Sequence, residues 1–539
     1  MSNSEHARLT ADEAAIESHY RGELARRAKD LAARLREMNR NTFTTTIRAD
    51  MPRDGELIGR VALLEPNDEF LDGAGDFYIG TTRHDGGDYQ VFSWTAPVAC
   101  TYYRKSRDHH TLCGEVAGVR VLAHYDGKIV DYEDDVVSDI ARTDLFPNRQ
   151  QQILSAARSK IGEASPRTPV NGAKPPDARK DEVSQLGSSD ALTPFHPQPS
   201  TEAGSLQPQE TRSPPPGPVL RAPSLLRRQL AAPKAVAMSA VLATLQSDQY
   251  EAITKPAEES QILQGHPGTG KTIIAAHRAA YLLNSEAPKS AKPNGHVLIL
   301  GPTTEYVKHV QSALRQLIDD PLRYSVQAVP SLLESLAGLP QSTVPTSSVV
   351  WEDVSEELAR LVDSALSNAK KNPGNEGPKA DDVYAKLLRF LQEPPPTGLD
   401  PEWVQYLRRL PATLKQVKKR QEHSHRSLLA YIAVRTTKSR DPGHIIIDEA
   451  QDIHPLEWEI LGRLGNVGGW TILGDLNQRR TDHTFDSWGK VSNLLGIESG
   501  DGEPPVFFLE RGYRSTAQII RFANQLLPAR NRTLYSLQR

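Results

Sequence analysis

The spacing of apolar positions changes three times along this 539-residue chain. Over residues 12–38, Ile16, Tyr20, Leu24, Ala28, Leu31 and Leu35 recur at intervals of three and four, with Gly22 the sole helix-weakening residue. That spacing predicts an amphipathic helix of about seven turns, which packs on its own domain or reaches a partner as a coiled-coil arm. From about 41 to 158 the texture turns to short β-rich runs: IGRVALL (58–64), DFYIGTT (76–82), YQVFSW (89–94), VACTYYR (98–104), VRVLAHY (119–125) and KIVDYE (128–133). His84-Asp85-Gly86-Gly87-Asp88 and Asp126-Gly127 supply tight turns between them, so a small antiparallel β-rich domain is expected. After residue 236, wholly apolar runs alternate with helical stretches. The runs are QILQG (261–265), HVLILG (296–301), HIIID (444–448), WTILG (470–474) and VFFLE (506–510), and the helices are expected at 271–284, 304–318, 456–464 and 515–527. Apolar strands alternating with helices imply an α/β fold whose parallel sheet is covered on both faces. A helix-rich insertion, about 320–440, interrupts it and is broken at NPGNEGP (372–378) and EPPPTG (393–398).

Composition changes this picture in one place. Of 39 prolines, twelve fall between 161 and 220 among Ser, Thr, Gly, Gln and Glu. Such a stretch buries too little apolar surface to offset its ordering entropy, which predicts a disordered, partly extended linker over 159–235. Pro214-Pro215-Pro216 is alternatively a docking site for a proline-reading module. No run of 18 apolar residues occurs, and the N-terminus carries acidic residues where a signal peptide needs a basic flank, so the expectation is a cytoplasmic protein without a membrane partner. Cys100 and Cys113 are too few for a disulfide framework and are read as buried small residues. The net charge of −3 argues against a chain-wide basic field. One stretch departs from it: from 405 to 440, Arg408, Arg409, Lys415, Lys418, Lys419, Arg420, Arg426, Arg435, Lys438 and Arg440 face Glu422 alone. This stripe contacts nucleic-acid phosphates or an acidic protein surface, or is a solvated helix face. Trp403, Tyr406 and Tyr431 flank it, as base-stacking or as core residues. His109 and His110 have no carboxylate or cysteine at ligand spacing and are read as solvent-exposed.

Gly265-His266-Pro267-Gly268-Thr269-Gly270-Lys271-Thr272 lies between an apolar strand and a helix. Its glycines let backbone N–H groups cradle phosphate at the helix N-terminus, Lys271 reaches the β- and γ-phosphates, and the Thr272 hydroxyl ligates Mg²⁺. Gly265, Gly268, Thr269, Gly270, Lys271 and Thr272 are therefore the candidate nucleotide-binding residues. Ile445-Ile446-Ile447 runs into Asp448-Glu449-Ala450-Gln451-Asp452. Asp448 is expected to hold the Mg²⁺ shell with Thr272, and Glu449 to polarise the attacking water.

DEAQD, with Gly474-Asp475-Leu476-Asn477-Gln478 and Leu509-Glu510-Arg511-Gly512-Tyr513-Arg514-Ser515-Thr516 downstream, resembles in this order the motifs of UvrD/Rep-type superfamily 1 helicases. Leu245-Gln246-Ser247-Asp248-Gln249-Tyr250 is similar to the adenine-reading glutamine motif of that family. The resemblance implies a RecA-like P-loop NTPase domain over 236–505, using ATP and Mg²⁺. It assigns Gln249 to the adenine edge, Gln478 to γ-phosphate sensing coupled to nucleic acid, and Arg514 to transition-state charge; Asp482 and His483 lie where nucleic acid would pass. Within the superfamily, GHPGTGKTIIAAHRAAYLL, VLILGPTTEYVKHVQSALRQL (297–317) and YIGTTRHDGGDYQVFSWTAPVACTYYR (78–104) resemble HelD-like proteins, motors that bind bacterial RNA polymerase. DNA and RNA polymerase are thus the implied partners. Two departures follow. One helix, not a long antiparallel arm, precedes the β-rich domain. The chain also ends 25 residues past Arg514, so 506–539 is expected to be the start of an incomplete second RecA-like domain, with a partner chain supplying the rest. The expected function is Mg-ATP hydrolysis coupled to action on DNA or RNA polymerase. The alternative is a nucleotide-dependent binding module with little or no hydrolysis.

Overall fold

In the computed structural model the described residues are 3–41, 55–104 apart from 88, 111–136, 146, 221–231, 238–340 apart from 319, 356–369, 378–392, 401, 404–405, 408–420, 425–437, 442–526 apart from 465–466 and 499–501, and 535–538. The proline-rich stretch 161–220, His109, His110, Trp403, Tyr406, Lys438, Arg440 and most of the two expected breaks in the insertion lie outside them.

The first helix, α1 (Asn3–Asn41), is longer than the apolar spacing predicts. Ile16, Tyr20 and Leu24 are buried, whereas Ala28, Leu31 and Leu35 stay half-exposed, so only the N-terminal half of the apolar stripe packs on the domain behind it. That domain is a six-stranded sheet of β1 (Leu57–Asn67), β2 (Ala74–Gly80), β3 (His84–Asp85), β4 (Gln90–Ser93), β5 (Val116–Tyr125) and β6 (Lys128–Val136), in the order β3-β4-β2-β1-β5-β6. The expected turn over 84–88 begins within β3. Asp126 and Gly127, both at positive φ, form the turn into β6, as a tight hairpin of matched twist requires. Two expectations fail. The sheet is not wholly antiparallel: β4 first pairs with the short β3 and then runs parallel to β2. VACTYYR is not a strand but a 3₁₀ turn at Pro97–Ala99 followed by α2 (Cys100–Tyr103). Pro97 fixes the first helical φ and has no N–H to give a ladder, and the run is apolar without alternation. Both cysteines are free; Cys113 is buried and its thiol is pushed up to about 12 by burial, while Cys100 is only half-buried.

A buried ion network ties α1 to this sheet. Glu13 Oε1 accepts from Arg60 at 3.3 Å and Arg120 at 2.9 Å, while Arg60 also bonds Asp76 at 2.5 Å and Arg120 grips Asp134 at 2.8 and 3.1 Å. Both guanidiniums lie over the Phe146 ring, at 5.6 and 4.4 Å. These side chains are nearly free of solvent, so removing any one of them leaves its partners as buried charges without full compensation.

Helices α3 (Pro223–Ala231), α4 (Met238–Thr244) and α5 (Ser247–Thr254) lead into the second sheet; α3 falls in the stretch read from sequence as linker. Its first N–H groups, on Ser224 and Leu225, donate to the Glu133 carboxylate of β6, a favourable place for negative charge. The second sheet comprises β7 (Gln261–Gly265), β8 (Val297–Gly301), β9 (Tyr324–Ala328), β10 (His444–Ile447), β11 (Trp470–Gly474) and β12 (Val506–Leu509), ordered β12-β7-β11-β10-β8-β9 with every pair parallel. Strand β9 opens what reads as the helical insertion. Its YSVQA buries alternate residues only, the pattern of an edge strand, and so lacks the continuous apolar run that marks the others.

Alternation along these strands sends Leu263, Val297, Ile299, Ile446 and Leu473 to one core, with α6 (Lys271–Leu283) and α7 (Thr304–Leu317), and Ile262, Leu298, Leu300, Ile445, Ile447 and Ile472 to the other. That second core is closed by α8 (Val329–Ala337), α9 (Glu356–Ser367), α10 (Ala380–Gln392), α11 (Leu414–Arg420), α12 (Arg426–Thr436) and α13 (Pro455–Gly462). The first core is continuous with that of the β-rich domain. Tyr103 stacks on Tyr250 at 3.9 Å, Trp94 lies against His277 and Tyr281, and the Tyr102 hydroxyl donates to Ala243 O at 3.1 Å.

Glu13→Ala leaves two buried arginines short of a counter-charge and is expected to cost about 3–5 kcal/mol, read as a lower denaturant midpoint. A second expectation concerns acid. Burial lowers the His277 imidazole to about 4; burial, then Arg278, lowers that of His444 to about 3. Both remain neutral in the folded chain, whereas the unfolded chain protonates them near the ordinary value. Their contribution is therefore intact above about pH 6.5 and falls as pH drops toward 4 and 3, by about 1 kcal/mol per pH unit for each. Urea unfolding at pH 7 and pH 5 measures it.

Candidate nucleotide site

The site is built where β7, β11 and β10 end. After β7 the chain turns through Gly268 and Gly270, at φ +80° and +90°, values that only glycine adopts without strain. A side chain at Gly270 would also strike Gln249 Nε2 at 2.8 Å. The turn delivers the N-terminus of α6, with its unpaired N–H groups and positive dipole end, at the strand's exit. Lys271, the first residue of α6, is buried; its Nζ donates to Gly265 O at 2.7 Å and His266 O at 3.4 Å. Thr269 closes the loop by donating to His266 O at 2.9 Å.

Strand β10 brings up the acidic pair. Thr272 Oγ1 donates to Asp448 Oδ2 at 2.6 Å. Asp448 is buried, and its carboxyl is pushed up by burial, with Glu449 adding to the rise and Thr272 and Lys271 opposing it. A hydroxyl and an under-compensated buried carboxylate at this separation are hard oxygen donors, and they fit Mg²⁺. Glu449 adopts φ 56°, ψ 40°, a left-handed conformation that costs a non-glycine residue about 1 kcal/mol. Its Oε2 accepts from Gln451 Nε2 at 2.8 Å. Tyr306 packs beside this pair, its phenol pushed well up by burial and by the Asp448 and Glu449 carboxylates.

From Glu449 the contacts continue to β11. Gln451 Oε1 accepts the Asp475 N–H at 3.0 Å. The Asp475 carboxylate, fully buried, accepts from Gln264 at 2.7 Å, Gln478 at 2.8 Å and the Asn477 N–H at 3.1 Å, with His266 Nδ1 at 3.4 Å. Burial alone would raise this acid, but the hydrogen bonds from His266 and Gln478 outweigh it and hold it down at about 2. Gln264 Oε1 in turn accepts from Trp488 Nε1 at 2.7 Å.

Lys271, Thr272, Asp448 and Glu449 thus lie together at the strand ends, and Gln478 joins them through Asp475 and Gln451. Gln249 lies against the loop, its Nε2 donating to Thr269 O at 3.3 Å and its Oε1 accepting from the Gln246 N–H at 3.2 Å. The Arg514 side chain lies outside the described residues; its neighbour Tyr513 donates its N–H to Gly268 O at 2.8 Å. The basic stripe divides. Arg426 is buried and Arg435 is bound to Asp363 at 2.8 Å, whereas Lys415, Lys418, Lys419 and Arg420 on α11 are exposed. Tyr431 is buried and donates to Asp363 at 3.1 Å, which makes it core. Asp482 and His483 are exposed. Sequence reasoning gave no role to Gln451, His266 or Gln264. The first two stand inside the quoted motifs, so position was their only signal.

Known proteins match the chain in two blocks. Residues 249–481 match the family described as an AAA domain, and residues 3–150 match that described as DNA helicase IV HelD, N-terminal domain. Among individual proteins, the chain is similar to the ATP-dependent DNA helicase PcrA of Staphylococcus epidermidis, 22% identical over 327 residues, covering 54% of this chain and 41% of that protein. The PcrA of Staphylococcus aureus is 23% identical over the same length, covering 54% and 40%. The matched stretch spans about two fifths of these relatives. A HelD-type N-terminal block ahead of a RecA-like phosphate-loop domain supports a likeness of the chain to the UvrD/HelD-like superfamily 1 helicases.

Proposed function

We propose that the chain binds Mg-ATP at the phosphate loop and hydrolyses it, and that hydrolysis is coupled to action on DNA or on RNA polymerase in the cytoplasm. One observation carries the reading: the contacts that run from Thr272–Asp448 through Glu449 and Gln451 to Asp475 and Gln478. Magnesium, when bound by Thr272 and Asp448, supplies charge neutralisation for the β- and γ-phosphate oxygens. The glycine turn and the α6 N-terminus bind phosphate, and Lys271 gives a mobile cation to the same oxygens. Glu449 orients the attacking water and takes its proton; Gln451 fixes that carboxylate. Gln249 reads the adenine edge and Arg514 meets transition-state charge. Gln478, tied to the same network, transmits the state of the phosphate to whatever lies on the exposed side. The exposed cations of α11 suit nucleic-acid phosphates, and the PcrA relatives are named as ATP-dependent DNA helicases. RNA polymerase enters through the likeness of residues 3–150 to the N-terminal domain of HelD.

A second reading rests on Glu449 Oε2, which already accepts from Gln451. A carboxylate held this way serves a nucleotide-dependent binding module with little or no turnover equally well.

Turnover of ATP is expected to rise with single-stranded DNA or RNA polymerase and to fall by at least about 100-fold in Lys271→Ala and Glu449→Gln. Tight ATP binding without turnover in the unaltered chain overturns the motor in favour of the binding module. Gln451→Leu is expected to lower kcat about tenfold, the worth of one well-aligned hydrogen bond, with ATP affinity held within threefold. Steady-state kinetics beside equilibrium nucleotide binding separate the two effects.

A further inference from the structure

A cavity of about 580 Å³ lies between α1, the turn from β2 into β3, and the C-terminal end of α6. The phosphate loop is at the opposite end of that helix, about 20 Å away at 1.5 Å per residue. The volume is within the range of small-molecule sites. His84 lines it and is only 6% exposed, yet neither ring nitrogen has a hydrogen-bond partner. Its ring is packed between Tyr20 and Tyr89, at centroid distances of 5.6 and 5.8 Å. Burial, then Arg27, lowers its pKa, so it offers one donor and one acceptor at neutral pH. A buried imidazole with both nitrogens unpaired carries a desolvation cost that a polar ligand in the cavity would remove.

Four carboxylates and three guanidiniums line the cavity, and which of them still have open hydrogen-bonding positions bears on the ligand. The carboxylates are already engaged: Glu286 accepts from the Arg83 N–H, Asp320 from the Leu322 N–H, Asp85 from the Gly87 N–H, and Glu23 pairs with Arg26 and His19. Arg323 donates to Leu283 O. The guanidiniums of Arg27 and Arg83 are exposed and make no ion pair among the described residues. Leu24, Leu283 and Ile318 form buried apolar walls. Arg83 lies over the Phe92 ring at 5.9 Å, a contact that leaves its N–H edges free of the ring face. Two guanidiniums without an ion-pair partner suit a phosphate group, the apolar walls suit a flat ring, and the neutral imidazole suits a donor–acceptor edge.

We propose that this cavity is a second small-molecule site, distinct from the phosphate loop, that takes a phosphate monoester carrying a flat ring, of the size of a nucleoside monophosphate. The test is calorimetric titration of the full chain carrying Lys271→Ala, which disables the phosphate loop, with AMP, UMP and inorganic phosphate. The expected result is one bound nucleoside monophosphate per chain, at least tenfold tighter than inorganic phosphate. Arg27→Ala with Arg83→Ala should weaken it at least tenfold, and these exposed positions should leave the unfolding midpoint unchanged. His84→Leu should weaken it to a similar extent. Inorganic phosphate binding as tightly as AMP overturns the ring-bearing ligand. Failure of all three probes to bind, or binding unaltered in the double arginine variant, overturns the site.

Discussion

The nucleotide site depends on three parallel strands ending at the same level. Gln264 of β7 pairs with Gly474 of β11, and Ile472 of β11 with Ile447 of β10, so the phosphate loop, the Asp475 turn and the acidic pair emerge side by side. The Asp448 N–H donates to Leu300 O at 3.0 Å, which fixes the last strand against β8. Because side chains alternate with a period of two, a slip of one residue in any of these pairings would exchange the two cores and carry Asp448 away from Thr272. Isoleucines and leucines buried on both faces make such a slip costly. The geometry of the candidate site is thus held by apolar packing at a distance from it.

The strands and the loop were legible because each is a local pattern with a strong physical cause. QILQG and WTILG match β7 and β11 residue for residue, and every residue of both is buried, as strands covered on both faces require. What sequence concealed was set by distant partners. VACTYYR has strand-like composition, but its tyrosines are claimed by the packing of α5 and by the Ile58 and Ala243 carbonyls, and Pro97 starts the turn that presents them. The ten-residue basic stripe looked uniform. Burial of Arg426 and the pairing of Arg435 with Asp363, 72 residues distant, were invisible in a list of charges. At the site, Lys271, Thr272 and Asp448 follow from motif spacing. Gln451 does not, because its function lies in contacts to two different turns.

The β-rich domain is more than an appendage. Its Trp94, Tyr102 and Tyr103 complete the core of the face that also carries α6, and Arg221 lies over the Tyr102 ring at 4.2 Å while donating to Leu245 O at 2.7 Å. Aromatic stacking and buried polar contacts of this kind resist sliding more than an aliphatic interface does. Displacement of α6 would therefore be felt by Trp94 through His277 and Tyr281. The constraint is reciprocal, since the rings that anchor the β-rich domain stand on the helix that begins with Lys271 and Thr272.

The Asp475 network has a defined direction, and its ionised acid sets it. A carboxylate only accepts, so Gln478 must turn its Nε2 toward Asp475, which leaves its Oε1 as the group available elsewhere. The backbone imposes the same logic on Gln451. The Asp475 N–H requires the amide oxygen, so Nε2 is left for Glu449, and a flipped amide would set donor against donor and acceptor against acceptor. Each amide orientation is thereby determined from the backbone outward, and the Glu449 carboxylate is met by a donor. A network of donors from four residues on one buried acid costs little when complete and much when one member is lost. That asymmetry explains why the carboxylate at its centre is held at about 2 although it is fully enclosed: the donors around Asp475 exceed the desolvation that would otherwise have neutralised it.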